Sequence, residues 1–226
     1  TRLAFDEREF LWHVETESGE RYTARFVIDT SGVLANPHIP NINGAETFKG
    51  PKFHSGHWDH SVAHEGKRVG VIGSGCSAAQ IVPAIAGKVS RLTLFMGKAQ
   101  WILPRSDRHY GAVERFVRAL PGIRHIIRLL VFVFYDIRFI AFRRYPGISG
   151  ISQLMKDHYR RRLKKHLDKY IKDDKLRQHM MPDYELGCRR VIPTNTYLPA
   201  LSLDNVDVDI SGIGCITPRG IRTKDG

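Results

Sequence analysis

The spacing of apolar residues changes along this 226-residue chain. Near the start, apolar and polar positions alternate. Phe10-Leu-Trp-His-Val-Glu-Thr and Tyr22-Thr-Ala-Arg-Phe-Val-Ile-Asp flank the polar, glycine-containing stretch Glu17-Ser-Gly-Glu-Arg. This is the period-two pattern of two strands joined by a turn. Thr1-Arg-Leu-Ala-Phe reads as another strand, and Pro37, Pro40 and Gly44 mark an extended connector. The run from Lys67 to Ile72 predicts a buried strand, Cys76 to Ala86 a helix, and Arg91 to Phe95 a second strand. Strand, helix and strand in such close succession open a doubly wound α/β sheet.

From about Asp107 to Gln178 the period becomes helical. Ile123, Ile126, Ile127, Leu130 and Phe134 fall on one helix face, with Arg124 and Arg128 on another. The apolar stripe is expected to be buried as core or domain interface, and Ile126, Leu130 and Phe134 with it. Pro121, Pro146 and Gly150 divide the stretch into separate helices. The basic run Arg160-Arg161-Arg162-Leu163-Lys164-Lys165 predicts a solvated face. Short strands then return at Val206-Asp-Val-Asp-Ile, Cys215-Ile-Thr and Gly220-Ile-Arg-Thr, with a turn at Gly212 to Gly214. The expected division is a β-hairpin and hinge over 1–38 and the first half of a nucleotide domain over 39–106. A helical insertion over 107–182 and the second half over 183–226 follow.

Charge narrows the partners. The chain carries 35 Lys and Arg against 23 Asp and Glu, a net charge of +12. Such an excess suits nucleic acid, an anionic membrane or a phosphorylated cofactor. The basic run lacks interleaved aromatics and no recognition fold is visible, which argues against nucleic acid. Leu129 to Tyr135, the longest uncharged apolar run of the basic region, is far too short to cross a bilayer, and a membrane-surface role is the minor reading. Cys76, Cys188 and Cys215 are too scattered for a disulfide framework and form no C-x-x-C pair. They point to a reducing, cytoplasmic setting. No metal site is expected.

The densest chemistry lies at Val69-Gly-Val-Ile-Gly73-Ser-Gly75-Cys-Ser-Ala78. A G-x-G-x-x-A stretch after an apolar strand, opening a helix, is a dinucleotide-binding signature. Gly73 permits the tight turn, Gly75 admits a pyrophosphate to the backbone, and Ala78 lets helix and strand approach closely. Ser74, Cys76, Ser77 and Gln80 share this loop and first turn, and are candidate cofactor contacts. Enzymes that use NAD place an acid after the second strand. Here that region reads Phe95-Met96-Gly97-Lys98-Ala99-Gln100, and Lys98 offers a cation for a 2′-phosphate. The expected cofactor is NADPH.

A second motif precedes it. Phe48, Gly50, His54, Trp58 and Asp59 spell F-x-G-x-x-x-H-x-x-x-W-D. Together the two motifs resemble those of Baeyer–Villiger monooxygenases, which use FAD, NADPH and O2 to insert an oxygen atom beside a ketone carbonyl. The resemblance implies a doubly wound, Rossmann-like NADP-binding domain with a helical insertion and flanking strands of an FAD domain. It gives His54, Trp58 and Asp59 a part in coordinating domain movement, and Thr30-Ser31-Gly32 that of a hinge. Gly187-Cys188-Arg189-Arg190 and the later Tyr197 with Pro199-Ala-Leu resemble further family segments. On that likeness Arg190 is the active-site arginine and Arg189 lies near the adenosine phosphate. A guanidinium, always protonated, would stabilise negative charge that develops on oxygen. Met96 and Gly97 stand where the family usually has Gln-Arg, and Leu198 departs from a family tyrosine. The family's FAD loop is not found in this sequence, so FAD is expected to bind mainly through other segments, the chain being a segment of a longer protein. Two other readings stay open: an N- or S-oxygenating flavin monooxygenase, against which Asp59 speaks, and a non-catalytic NADP-binding module.

Overall fold

A computed structural model describes residues 2–30, 32, 36–105, 107–139 and 149–226. Two compact units emerge: Thr1–Pro40 with Gly56–Trp58, and Asn41–Ser55 with Asp59–Gly226. In the smaller unit, β1 (Arg2–Asp6), β2 (Leu11–Glu15) and β3 (Arg21–Ala24) form an antiparallel sheet in chain order. Cross-strand partners Phe5 and Trp12 set their rings 5.2 Å apart. The Asp6 carboxylate accepts the amides of Arg8 and Glu9 and so shapes the β1–β2 turn. The second predicted strand is shorter than its pattern, ending at Ala24 rather than Asp29. The reason lies in the partner, since β2 begins at Leu11 and the ladder's last pair is Trp12 with Ala24. Phe26 and Ile28 beyond it are each 86% exposed.

The larger unit opens with β4 (Arg68–Ile72), α1 (Ala78–Ile85) and β5 (Arg91–Phe95), the predicted strand–helix–strand, although β4, at the edge of its sheet, is half-buried to exposed and not buried as expected. It continues through β6 (Ile102–Leu103), then the helices α2 (Ala112–Ala119), α3 (Ile123–Phe139), α4 (Ser149–Tyr170) and α5 (Asp174–His179). The chain returns through β7 (Ile192–Pro193), α6 (Tyr197–Leu201) and β8 (Val206–Asp209), and finishes with the hairpin of β9 (Ile213–Thr217) and β10 (Gly220–Thr223). Strands β4, β5 and β8 pair in parallel in that order, and β6 pairs in parallel with β7. Parallel pairing leaves apolar residues on both sheet faces to be covered. On β5, Leu92 and Leu94 are fully buried, while Arg91 forms a two-pronged pair with Asp207 of the neighbouring strand at 2.5 and 2.8 Å.

Small and branched residues of α1 (Ala78, Ala79, Val82 and Ile85) fill one part of the core. Another part comes from a face the sequence pattern did not single out. Tyr159, Leu163, Leu167 and Ile171 recur every fourth residue at and just beyond α4, and all are buried. The basic run around Leu163 is exposed as expected, apart from a half-buried Arg162. By contrast, the stripe on α3 is not buried. Ile126, Leu130 and Phe134 are 60%, 63% and 56% exposed. Helical periodicity predicted the helix correctly; burial needs a partner surface, and α3 packs against α2, itself a small exposed helix. Pro146 and Ser31 lie outside the described residues.

Candidate functional site

The phosphate-loop candidate lies at the carboxyl end of β4. Gly73 has φ +105°, a left-handed conformation that disfavours any side chain, and its amide donates to Phe95 O at 3.0 Å. A Cβ built on Gly75 would meet no atom within 4 Å, so the backbone there is open to approach. The helix-start bonds begin with Ala79 N to Gly75 O at 3.0 Å. Among the described residues, the amides of Gly75 through Ala78 have no backbone acceptor, which is the donor set a helix start offers an anion. Cys76 and Ser77 are exposed around it, Ala78 is buried against the sheet, and Gln80 folds its amide back to Cys76 O at 3.2 Å.

Ser74 has a different task. Its side chain is buried, and its hydroxyl donates to Lys98 O at 2.6 Å, tying the loop to the segment after β5. Lys98 itself is exposed. The next link is Tyr184, whose hydroxyl donates to Ala99 O at 3.1 Å and to the Gln100 side chain at 3.3 Å. The Trp101 indole donates in turn to Tyr184 O at 3.3 Å. Burial pushes the Tyr184 phenol above its ordinary value, which keeps it a neutral donor. Over its ring, at 4.8 Å from the centroid, lies the Arg189 guanidinium. A short chain of hydrogen bonds and one cation–π contact thus carries Gly73–Ala78, Lys98 and Arg189 to one end of the sheet.

Arg190 follows directly. It is exposed, and among the described residues it has no ion pair or hydrogen bond. Two ladder bonds close behind it fix its backbone, Ile192 N to Trp101 O at 2.7 Å and Thr194 N to Leu103 O at 2.9 Å. Tyr197 behaves otherwise. Its ring is fully buried at the start of α6, its hydroxyl has no partner among the described residues, and desolvation raises its pKa steeply. It is a packing residue here, as is the equally buried Leu198.

The F-x-G part of the first motif has a direct steric cause. The Phe48 ring lies over Gly50, and a Cβ at Gly50 would stand 2.7 Å from it. The same segment is pinned to the β9–β10 hairpin by Lys49 N to Pro218 O at 3.1 Å and Ile216 N to Asn43 O at 2.8 Å. Asp59 closes a local turn, accepting from Ser61 N at 2.9 Å and from the Ser61 hydroxyl at 2.6 Å. Those bonds hold its carboxyl below the ordinary value. His54 and Trp58 are half-buried. Phe48 through His54 and Asp59 belong to the larger unit, Trp58 to the smaller.

Tyr184 was not legible in the sequence, because nothing in spacing shows a hydroxyl reaching a carbonyl 85 residues away. Nor were Asp6, Glu9 and His13, whose ligand atoms lie within 4.8 Å of one another on the exposed β1–β2 turn. Since the Asp6 carboxylate already accepts two turn amides, the cluster is explained by the turn.

Residues 8–119 match the family model described as flavin-binding monooxygenase-like. Over all 226 residues the chain is 38% identical to a Baeyer-Villiger monooxygenase of Streptomyces coelicolor and to one of Pseudomonas aeruginosa, covering 42% of each. It therefore spans less than half the length of these relatives. Among solved structures, an OTEMO complex with FAD and NADP superposes with a TM-score of 0.75 at 26% identity, over the whole chain and 49% of that protein.

Proposed function

We propose that this chain, which matches the flavin-binding monooxygenase-like family model over residues 8–119 and is similar to Baeyer–Villiger monooxygenases, forms the NADPH-holding portion of an FAD-dependent monooxygenase acting on ketones. The observation that carries the reading is the linked edge of the sheet. An open glycine loop with unpaired amides, an exposed Lys98 and a ring-stacked Arg189 are held together by Ser74 and Tyr184. Two cations beside a pyrophosphate loop, with no acid after β5, suit a nucleotide that carries an extra 2′-phosphate.

The residues divide the work. Gly73 to Ala78 would hold the pyrophosphate on backbone donors, and Lys98 and Arg189 the 2′-phosphate. Arg190, exposed and uncommitted, is a permanent cation that can face negative charge developing on oxygen during the transfer. The flavin and the nicotinamide, when bound, supply the redox chemistry and O2 the inserted atom. Gly50 and Phe48 shape the connector that leads into the nucleotide fold. The three cysteines are free, in keeping with a reducing, cytoplasmic setting.

The test is a pair of titrations with NADPH and NADH. The chain should prefer NADPH by tenfold or more, and Lys98→Ala and Arg189→Ala should each narrow that preference about fivefold, as loss of a charge-assisted contact does. Equal affinities for both nucleotides in the unmodified chain would overturn the assignment. A Tyr184→Phe variant should weaken NADPH alone, through the looser Arg189.

A further inference from the structure

Helices α2 and α3 pack on each other and present to solvent what the rest of the larger unit hides. On α2 the apolar residues Val113, Phe116 and Val117 stand at i, i+3 and i+4, an amphipathic stripe continued by the C-cap Leu120, and the four are 39 to 77% exposed. On α3 every residue from Leu129 to Tyr135 is between 43% and 64% exposed. Seven residues make about two helical turns, so apolar surface faces outward all the way round the helix axis. A helix that is apolar all round lies buried, either in the core of a large protein or in lipid.

Charge selects which medium. The two helices carry Arg115, Arg118, Arg124, Arg128 and Arg138 against Glu114 and Asp136 alone, and Glu114 is already paired with Arg108 and Arg118. Arg124 and Arg128 are exposed and lie just before the apolar turns. Cations at one end, aromatic Phe132, Phe134 and Tyr135 beyond them, and a chain of net charge +12 complement an anionic lipid surface. No described helix is long and apolar enough to cross a membrane. An in-plane seat therefore fits better, with the apolar turns sunk about 5–10 Å below the headgroups. We propose that the α2–α3 hairpin docks this protein on the surface of an anionic membrane, an assignment that stands apart from the nucleotide reading.

Vesicle flotation tests it, using phosphatidylcholine vesicles with and without phosphatidylglycerol. The 226-residue chain and the full gene product should both float with the anionic vesicles and at least tenfold less with neutral ones. Added salt should release them. Arg124→Ser with Arg128→Ser should lower binding about 25-fold, near fivefold for each cation. Phe132→Ser with Phe134→Ser should abolish it, and since all four positions are exposed, circular dichroism of the variants should be unchanged. Should the phenylalanine pair fail to fold, the arginine pair decides the matter alone. No flotation of the unmodified protein would overturn the proposal, as would flotation indifferent to both pairs. A dimer that the phenylalanine pair dissociates, without flotation, would give the face to a second copy. Flotation of the 226-residue chain but not of the full gene product would give it to the rest of the protein.

Discussion

Helices α1 and α3 begin from comparable sequence signals and end in opposite environments. Both are apolar at helical spacing. α1 buries Ala78, Ala79, Val82 and Ile85 in the sheet core, whereas α3 leaves Ile126, Leu130 and Phe134 more than half exposed. The difference lies outside the helices. α1 is the crossover between two parallel strands, β4 and β5, and that connection lays it on the sheet it joins. No such constraint acts on α3, which sits mid-way along a helical excursion between β6 and β7. Periodicity therefore reports that a helix has an apolar side and leaves open what that side meets.

The contrast can be tested from both ends. The largest effect is expected where the sheet-bound edge meets chemistry. In the full gene product, Arg190→Ala should lower product formation by about two to three orders of magnitude, the typical loss when a preorganised charge donor is removed. NADPH affinity should stay within about twofold, and Arg128→Ala on α3 should leave turnover within twofold as well. Product assays and nucleotide titrations run side by side would separate the outcomes. If affinity fell together with rate, Arg190 would belong to the nucleotide site instead.

Next in size is packing. Leu92→Ala on β5 and Leu163→Ala on α4 should each cost about 3 kcal/mol, since both side chains are fully buried. Leu130→Ala, at 63% exposure, should cost no more than about 0.5 kcal/mol. Denaturant titrations measure all three, and a cost at Leu130 close to that at Leu92 would show that α3 is covered after all. Gly73→Ala should cost about 1–2 kcal/mol, because its left-handed backbone and not lack of space excludes a side chain. It should also weaken nucleotide binding at a loop whose shape the glycine sets.

The smallest expected effect is one of pH. Burial, reinforced by Lys169 and Arg162, holds the imidazole of His166 below the ordinary 6.5. A histidine with a lowered native pKa keeps its full stabilising effect above 6.5 and loses it as pH falls toward the native value, because only the unfolded chain protonates in that window. Thermal melting should therefore drop modestly between neutral and mildly acidic pH, and His166→Gln should flatten that part of the profile.

Local sequence determined a good deal. The alternation before Glu17, the apolar strand at 68–72, the glycine turn and the helix after it each announce their own geometry, because φ sterics and periodicity act over a few residues. Phe48 and Gly50 belong here too, since a ring folding over a glycine two residues away is a local event. The tertiary structure decided whatever needed a distant partner. It ended β3 at Ala24, where the ladder with β2 stops at Trp12. It brought Tyr184 to Ala99 and Arg189 onto the Tyr184 ring, joining segments far apart in the chain. It buried the Leu163 and Leu167 face of α4 within a basic run, and exposed the more apolar α3. Burial and pairing are properties of two surfaces, and a chain read one segment at a time shows only one of them.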